Sequence, residues 1–200
     1  MTKKTSIKII FTFICTSLLL GQFNKKYYGF GLDVGSNGAG VFVTGQSMHQ
    51  TEKFSLNADI RFYDIKAKEE TVVYNYYYGQ FESVGGISLV MVPILMGANY
   101  YPFAGKIENN FSPFVTCRAG INITFDGKEI GSFSDRWNNA DVLVSPGGFL
   151  AVGIDVITYG PTSVSTMVGL EILPLNDMAD GADDYSGMLI HIAFNRRIKM

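Results

Sequence analysis

The stretch PTSVSTMVGLEIL, residues 161–173, holds two interleaved patterns. Val164, Thr166, Val168, Leu170 and Ile172 form one set, and Ser163, Ser165, Met167, Gly169 and Glu171 form the other. A period of two is the strand period, so one face of a sheet is apolar and the other small or polar. In a soluble protein the apolar face looks inward, and in a barrel set in lipid it looks outward. The local pattern is the same in both cases, so the rest of the chain has to decide.

The pattern recurs. In FSLNADIRFY (54–63) the apolar set is Phe54, Leu56, Ala58, Ile60 and Phe62, and in PFVTCRAGINITF (113–125) it runs through every second residue from Val115 to Phe125. PGGFLAVGIDV (146–156) and YSGMLIHIAF (185–194) alternate in the same way. YYGFGLDVG (27–35) alternates too, and the following SNGAG reads as a kink or bulge before VFVT continues the strand. SLVMVPILMGANYY (88–101) is apolar on both faces, and TVVYNYYYG (71–79) is aromatic and β-branched but short. Together these predict eight strands, most of them near the ~9–11 residues a tilted strand needs to cross a bilayer. The segment 84–98 is too short for a spanning helix and is broken by Gly85, Gly86 and Pro93.

The N-terminus carries an export signature. Lys3, Lys4 and Lys8 precede a mostly apolar run from Ile9 to Leu20, too short to span a bilayer as a helix and of secretory length. Residues 1–22 are therefore expected to be a cleaved signal peptide, with one barrel domain over 23–200. Their removal takes away three lysines and no acid, leaving 13 basic against 18 acidic side chains. That balance gives no basic face for nucleic acid. Cys15 leaves with the signal, so Cys117 has no partner for a disulfide within the chain.

Lysine decides which face is wet. A soluble barrel shows water a face rich in Lys and Glu. Here the lysines beyond the signal (Lys25, Lys26, Lys53, Lys66, Lys68, Lys106, Lys128 and Lys199) fall outside the strands as drawn. The polar set within the strands is Gly, Ser, Thr and Asn, with six charges: Asp33, Asp59, Arg61, Arg118, Asp155 and Glu171. An eight-stranded barrel has room inside for side chains alone, and an unpaired charge there costs several kcal/mol, so the six are expected to form a luminal network. Tyr27, Tyr28, Tyr100, Tyr101, Phe103, Phe111 and Phe194 gather at the expected periplasmic end, and Phe54, Phe125 and Tyr185 at the other, as lipid-interface girdles do. The apolar face of residues 164–172 is thus expected to meet lipid.

The Gly-rich GFGLDVGSNGAG, the run ILMGANYYPF with FSPFVTCRAGI, and the terminal LIHIAF resemble the small outer-membrane β-barrel superfamily, which includes OmpA-like, OmpX-like and opacity-type proteins. The resemblance spans residues 27–196. It implies an all-β, antiparallel up-and-down transmembrane barrel in the bacterial outer membrane, a lipid environment, and recognition of a terminal aromatic by the barrel assembly machinery. Phe194 would be that aromatic, although NRRIKM follows it.

Chemistry-bearing motifs are few. His191 falls on the luminal set and Ser186 on the lipid set, so they cannot act as a base and nucleophile, and Ser47 with His49 is a loop pair without support. NDMADGADD (176–184) lacks EF-hand spacing, no nucleotide loop exists, and one Cys with two His makes none of the usual zinc sites. The expected function is structural or interactive, without cofactor or catalysis, through external loops at Gln46–Thr51, Asp126–Ser145 and Pro174–Asp184 toward an unidentified extracellular partner. Asp64–Glu70, Pro102–Ser112 and Ile157–Thr162 are expected to be periplasmic turns. The alternative is a soluble periplasmic or secreted lipocalin-like barrel holding an apolar ligand.

Overall fold

The computed structural model describes residues 23–65, 71–84, 89–107, 110–127, 133–138, 140–158 and 160–198. The expected signal peptide lies outside the described residues. Eight strands close into an antiparallel barrel: β1 (Phe23–Gly35), β2 (Gly38–His49), β3 (Phe54–Ile65), β6 (Leu89–Tyr100), β7 (Phe111–Asp126), β8 (Asp141–Ile157), β9 (Thr162–Ile172) and β12 (Gly187–Arg197). Each pairs with its neighbour along the chain, and β1 pairs with β12 to close the ring. Closure leaves no sheet edge unpaired, which a barrel in lipid requires. Two small hairpins, β4 (Thr71–Asn75) with β5 (Gln80–Val84) and β10 (Pro174–Ala179) with β11 (Ala182–Asp184), stand apart from the ring, as does a six-residue helix α1 (Phe133–Asn138).

Two strand expectations are corrected. SNGAG is not a kink: Ser36 and Asn37 make a two-residue turn, and β2 doubles back on β1 with Val34 opposite Ala39. TVVYN is not a barrel strand: it pairs with QFESV as a free-standing hairpin. The two errors offset each other, so the strand count stays at eight.

They also reset the connections. Chains of this fold place both termini and the short turns at the periplasmic end. That end here holds Phe23, Arg197 and the connections 50–53, 101–110 and 158–161. The opposite, external end carries the tight 36–37 turn and the long connections 66–88, 127–140 and 173–186. Gln46–Thr51 therefore lies at the periplasmic end; of Asp64–Glu70, Asp64 and Ile65 end β3 at the external end and the remainder lies outside the described residues. Phe54 moves with them, its ring 5.0 Å from Tyr100 at the periplasmic rim. β1 starts earlier than expected, so Lys25 and Lys26 lie within it, at its periplasmic end.

The faces follow the alternation. On β3 the sets run Phe54, Leu56, Ala58, Ile60 and Phe62 outward and Ser55, Asn57, Asp59, Arg61 and Tyr63 inward, with every inward residue buried. β6 is apolar on both faces because its inward Leu89, Met91 and Leu95 join Tyr63, Ile65, Phe149, Leu173, Tyr185 and Leu189 in an apolar plug toward the external end of the lumen. The β10–β11 hairpin adds to that plug through Leu175 and Ala179. Its turn has positive φ at both Asp180 (45°) and Gly181 (77°), the geometry that matches a two-residue loop to the twist of its strands.

Candidate functional site

The lumen is built around two arginines. Arg61 on β3 and Arg118 on β7 both point inward and are 0% and 4% exposed. Arg61 donates from Nη1 to Glu171 Oε1 at 3.0 Å and from Nη2 to Asp59 Oδ2 at 3.4 Å, and its Nε lies 3.9 Å from Asp33 Oδ2. Arg118 pairs with the same Asp59 oxygen and donates from Nε to Thr116 Oγ1 at 3.2 Å. Asp33 turns its other oxygen to His191 Nδ1 at 2.6 Å, where the carboxylate leaves the ring nitrogen as donor. The Phe149 ring lies beneath both guanidinium carbons, 4.6 Å from that of Arg61 and 5.7 Å from that of Arg118. Phe42 stacks on His191 with ring centroids 3.8 Å apart.

Five of the six expected charges thus share one cluster, and Asp155 stands outside it. Asp155 sits toward the periplasmic end, where Tyr101 donates to its Oδ2 at 2.7 Å and itself accepts from Gln46 Nε2 at 2.9 Å. Three participants were not among the six. His191, Phe42 and Phe149 carry no mark in sequence beyond falling on the inward parity of their strands. Gly31 is legible in hindsight, because a Cβ there would collide with the Phe42 ring.

The packing leaves little space. The cavity beside Arg118, His191 and Asn195 measures 10 Å³, about the least that one water needs, and the one under Tyr63 and Tyr185 is the same size. A wider vestibule of 220 Å³ opens at the periplasmic mouth among Tyr27, Gln46, Tyr101 and Asp155. Lys25 and Glu52 form an ion pair on its margin. A route for solutes would have to pass the two arginines and then the apolar plug.

The outer wall is the reverse of a soluble barrel's. Phe30, Leu32, Val41, Val43, Ile60, Val152, Leu170, Met188 and Ile190 are each about half exposed on it, whereas the ionic groups are buried within. A contiguous apolar belt of this extent is stable against lipid and not against water. This does not favour the soluble alternative: among the described residues the middle of the lumen is occupied by the ion cluster.

The external end presents a different surface. The β4–β5 turn, Asn75–Gly79, shows Tyr76, Tyr77 and Tyr78 to solvent at 90%, 97% and 74% exposure. Asn75 fixes it, accepting at Oδ1 from Tyr77 N (2.9 Å) and Tyr78 N (3.4 Å), and accepting at its carbonyl from Gly79 N at 2.9 Å. Gly79 has φ of 65°, which glycine takes without strain. Tyr74 buttresses the turn with edge-on contacts to Tyr76 and Phe81, both at 5.1 Å. Two of the side chains that catalysis would need are engaged apart from each other: His49 Nδ1 meets Thr51 Oγ1 at 2.9 Å at the periplasmic end, and Ser186 Oγ accepts from Leu173 N at 2.9 Å at the external end.

No family model and no curated protein sequence matches the chain. Among solved structures, Neisserial surface protein A superposes with a TM-score of 0.53 at 9% identity, over 88% of this chain and 96% of that one. The N-terminal β-barrel domain of Pseudomonas aeruginosa OprF gives 0.48 at 10% identity, covering 87% of this chain and 96% of that one. Ail, the attachment invasion locus protein of Yersinia pestis, gives 0.48 at 8% identity, with 87% and 97% covered. The first likeness is one of fold, and the fold is that of the small outer-membrane barrels. With an apolar belt on the outside of such a closed barrel, the lipid it is built for is that of an outer membrane.

Proposed function

We propose that this chain, exported by residues 1–22, serves the outer membrane as a closed barrel that makes surface contacts through its external connections and carries out no catalysis. The observation that carries this reading is the aromatic turn Tyr76–Tyr78, held by Asn75 above a barrel with a filled lumen. Tyr offers a large, stiff contact area at small entropic cost together with a polar edge, which is why recognition loops favour it. The turn carries no charge, so the extracellular partner would be met by ring stacking and hydroxyl contacts, not by ion pairing.

Supporting the closed lumen are the Arg61 and Arg118 cluster and the apolar plug beyond it, which leave 10 Å³ voids where a pore would need a continuous path. Assembly would read the last strand, in which Phe194 faces lipid ahead of an exposed Arg196 and Arg197.

The reading is tested on whole cells and on purified barrel. Cells displaying the wild type and a Tyr76→Ser, Tyr77→Ser, Tyr78→Ser variant are compared for binding to arrayed host-surface proteins and glycans, with equal surface levels checked by protease protection. Binding that the triple variant loses supports the role; equal binding by both overturns it. In planar bilayers the purified barrel should give no stable conductance, and steady channels scaling with protein amount would overturn the closed lumen.

A further inference from the structure

The outer wall is not uniformly bulky. Across β2, β3 and β6, near their periplasmic ends, a groove of 830 Å³ is floored by Gly45, Ala58 and Ala98 and flanked by Phe23, Leu56 and Met96. Gly45 and Ala58 are paired across the β2–β3 ladder, and Ala58 is paired with Met96 across β3–β6, so the floor is set by register and not by a flexible loop. A Cβ at Gly45 would meet nothing within 4 Å, so no contact inside the protein explains a glycine there. The space is left on the lipid side, within a belt otherwise made of Val, Leu, Ile and Phe.

Charge marks one end of this groove. Lys26 lines it beside Ser47, its partner in the β1–β2 register. Arg196 on β12 is paired with Tyr28 and faces outward, which places it one diagonal step from Lys26 across the β1–β12 seam. Both side chains are exposed, and neither carries an ion pair among the described residues. At the external end of the same wall the outward charge is the acid Asp64. The wall is therefore cationic where it meets the periplasmic headgroup layer, and the recess lies beside these cations: Lys26, Ser47, Leu56 and Ala98 share one row of pairs, and Arg196, Tyr28, Gly45, Ala58 and Met96 the adjacent one.

We propose that this groove seats one anionic phospholipid of the inner leaflet, its acyl region over Gly45, Ala58 and Ala98 and its phosphate between Lys26 and Arg196. The complementarity of two unpaired cations with a headgroup phosphate selects this occupant over a second copy of the chain, which would set like charges against each other at that rim. The proposal rests on the barrel residing in lipid, and the experiment separates the two.

The full-length folded barrel, reconstituted in nanodiscs of equal phosphatidylglycerol and phosphatidylcholine, is released into detergent and weighed by native mass spectrometry. A heat-dependent gel shift checks folding of every sample. The wild type is expected to retain phosphatidylglycerol over phosphatidylcholine by about tenfold. Lys26→Gln with Arg196→Gln should bring that ratio to about one, since the charge term is removed. Gly45→Leu, which fills the floor, should abolish retention of both lipids while keeping the gel shift. Equal retention of the two lipids by the wild type, retention unchanged in Gly45→Leu, or a dimer that Gly45→Leu dissolves would each overturn the proposal. A wild type that enters nanodiscs in no folded form would instead sink the membrane reading itself.

Discussion

Asp33 and His191, 158 positions apart in the chain, meet at 2.6 Å across the seam where the first and last barrel strands pair. The contact lies in the lumen, both groups are 1% exposed, and Phe42 stacks on the free face of the imidazole. Through Asp33 the seam is tied to Arg61 and so to β3 and β9. His191→Ala removes the donor and the stacking partner together and is expected to cost about 3 kcal/mol in urea unfolding from lipid vesicles. His191→Gln, which can still donate, should recover part of the loss; equal losses in the two variants would mean that the hydrogen bond contributes nothing.

Arg61 has three carboxylates around it, and removing it takes the ion pair from Glu171, leaving Asp33 with His191 and Asp59 with Arg118. Arg61→Leu is expected to destabilise by about 3–5 kcal/mol, because charges already desolvated lose their counter-ion. Combining it with Glu171→Gln should restore about 1 kcal/mol or more relative to additivity, since the stranded charge disappears with its partner. Strict additivity of the two changes would show that the 3.0 Å pair carries no coupling.

Val152 and Val168 are directly paired on the outer wall, 56% and 42% exposed. Arg at either position is expected to cost about 2–4 kcal/mol in a bilayer and to weaken the heat-dependent mobility shift, whereas Arg at Val156, nearer the periplasmic rim, should cost about 0–1 kcal/mol. A depth-independent penalty would place the wall outside a membrane.

Tyr185 closes the apolar plug, 2% exposed, its phenol donating to the Ala179 carbonyl at 2.8 Å. Burial, with the Asp180 and Asp126 carboxylates adding to it, pushes this phenol from 10.0 up to about 12. The native state then holds a proton that the unfolded chain has released, so stability is full below pH 10 and falls as pH rises from 10 toward 12. Tyr185→Phe should show a shallower decline over that window. Phenolate absorbance should also show the buried tyrosines of the wild type, Tyr63, Tyr101 and Tyr185, ionising with unfolding and not before it, and one fewer in Tyr185→Phe.

The faces were legible because alternation is a local property: each of the six ring strands for which two sets were drawn, β1, β3, β7, β8, β9 and β12, kept them. The first hairpin was missed although the signal was there. Val34 and the residues before it are outward at even positions, and Val41 and Val43 are outward at odd ones, a change of parity that a continuous strand cannot make without a bulge and that a two-residue turn makes at once. TVVYN was misplaced because β propensity says nothing about which strand is the partner, and its five residues are too few to cross the belt. The ion cluster was legible as a set of inward charges. Its geometry was not, because Asp59, Arg61, Arg118 and Glu171 come from three strands whose angular positions around the ring depend on closure. Asp155 could not be told from the others by type or parity; its distance along the barrel axis separates it.

The two-residue turn at Ser36–Asn37 is fastened to the chain that enters the last strand. Asn37 Nδ2 donates to the carbonyls of Tyr185 and Ser186 at 2.5 and 3.2 Å, and Ser36 N donates to that of Met188 at 3.0 Å. The first hairpin therefore clasps the final strand at its external end, so the ring is latched at its rim as well as zipped along its seam. A chain whose last strand is still unplaced has a finished turn waiting to receive it.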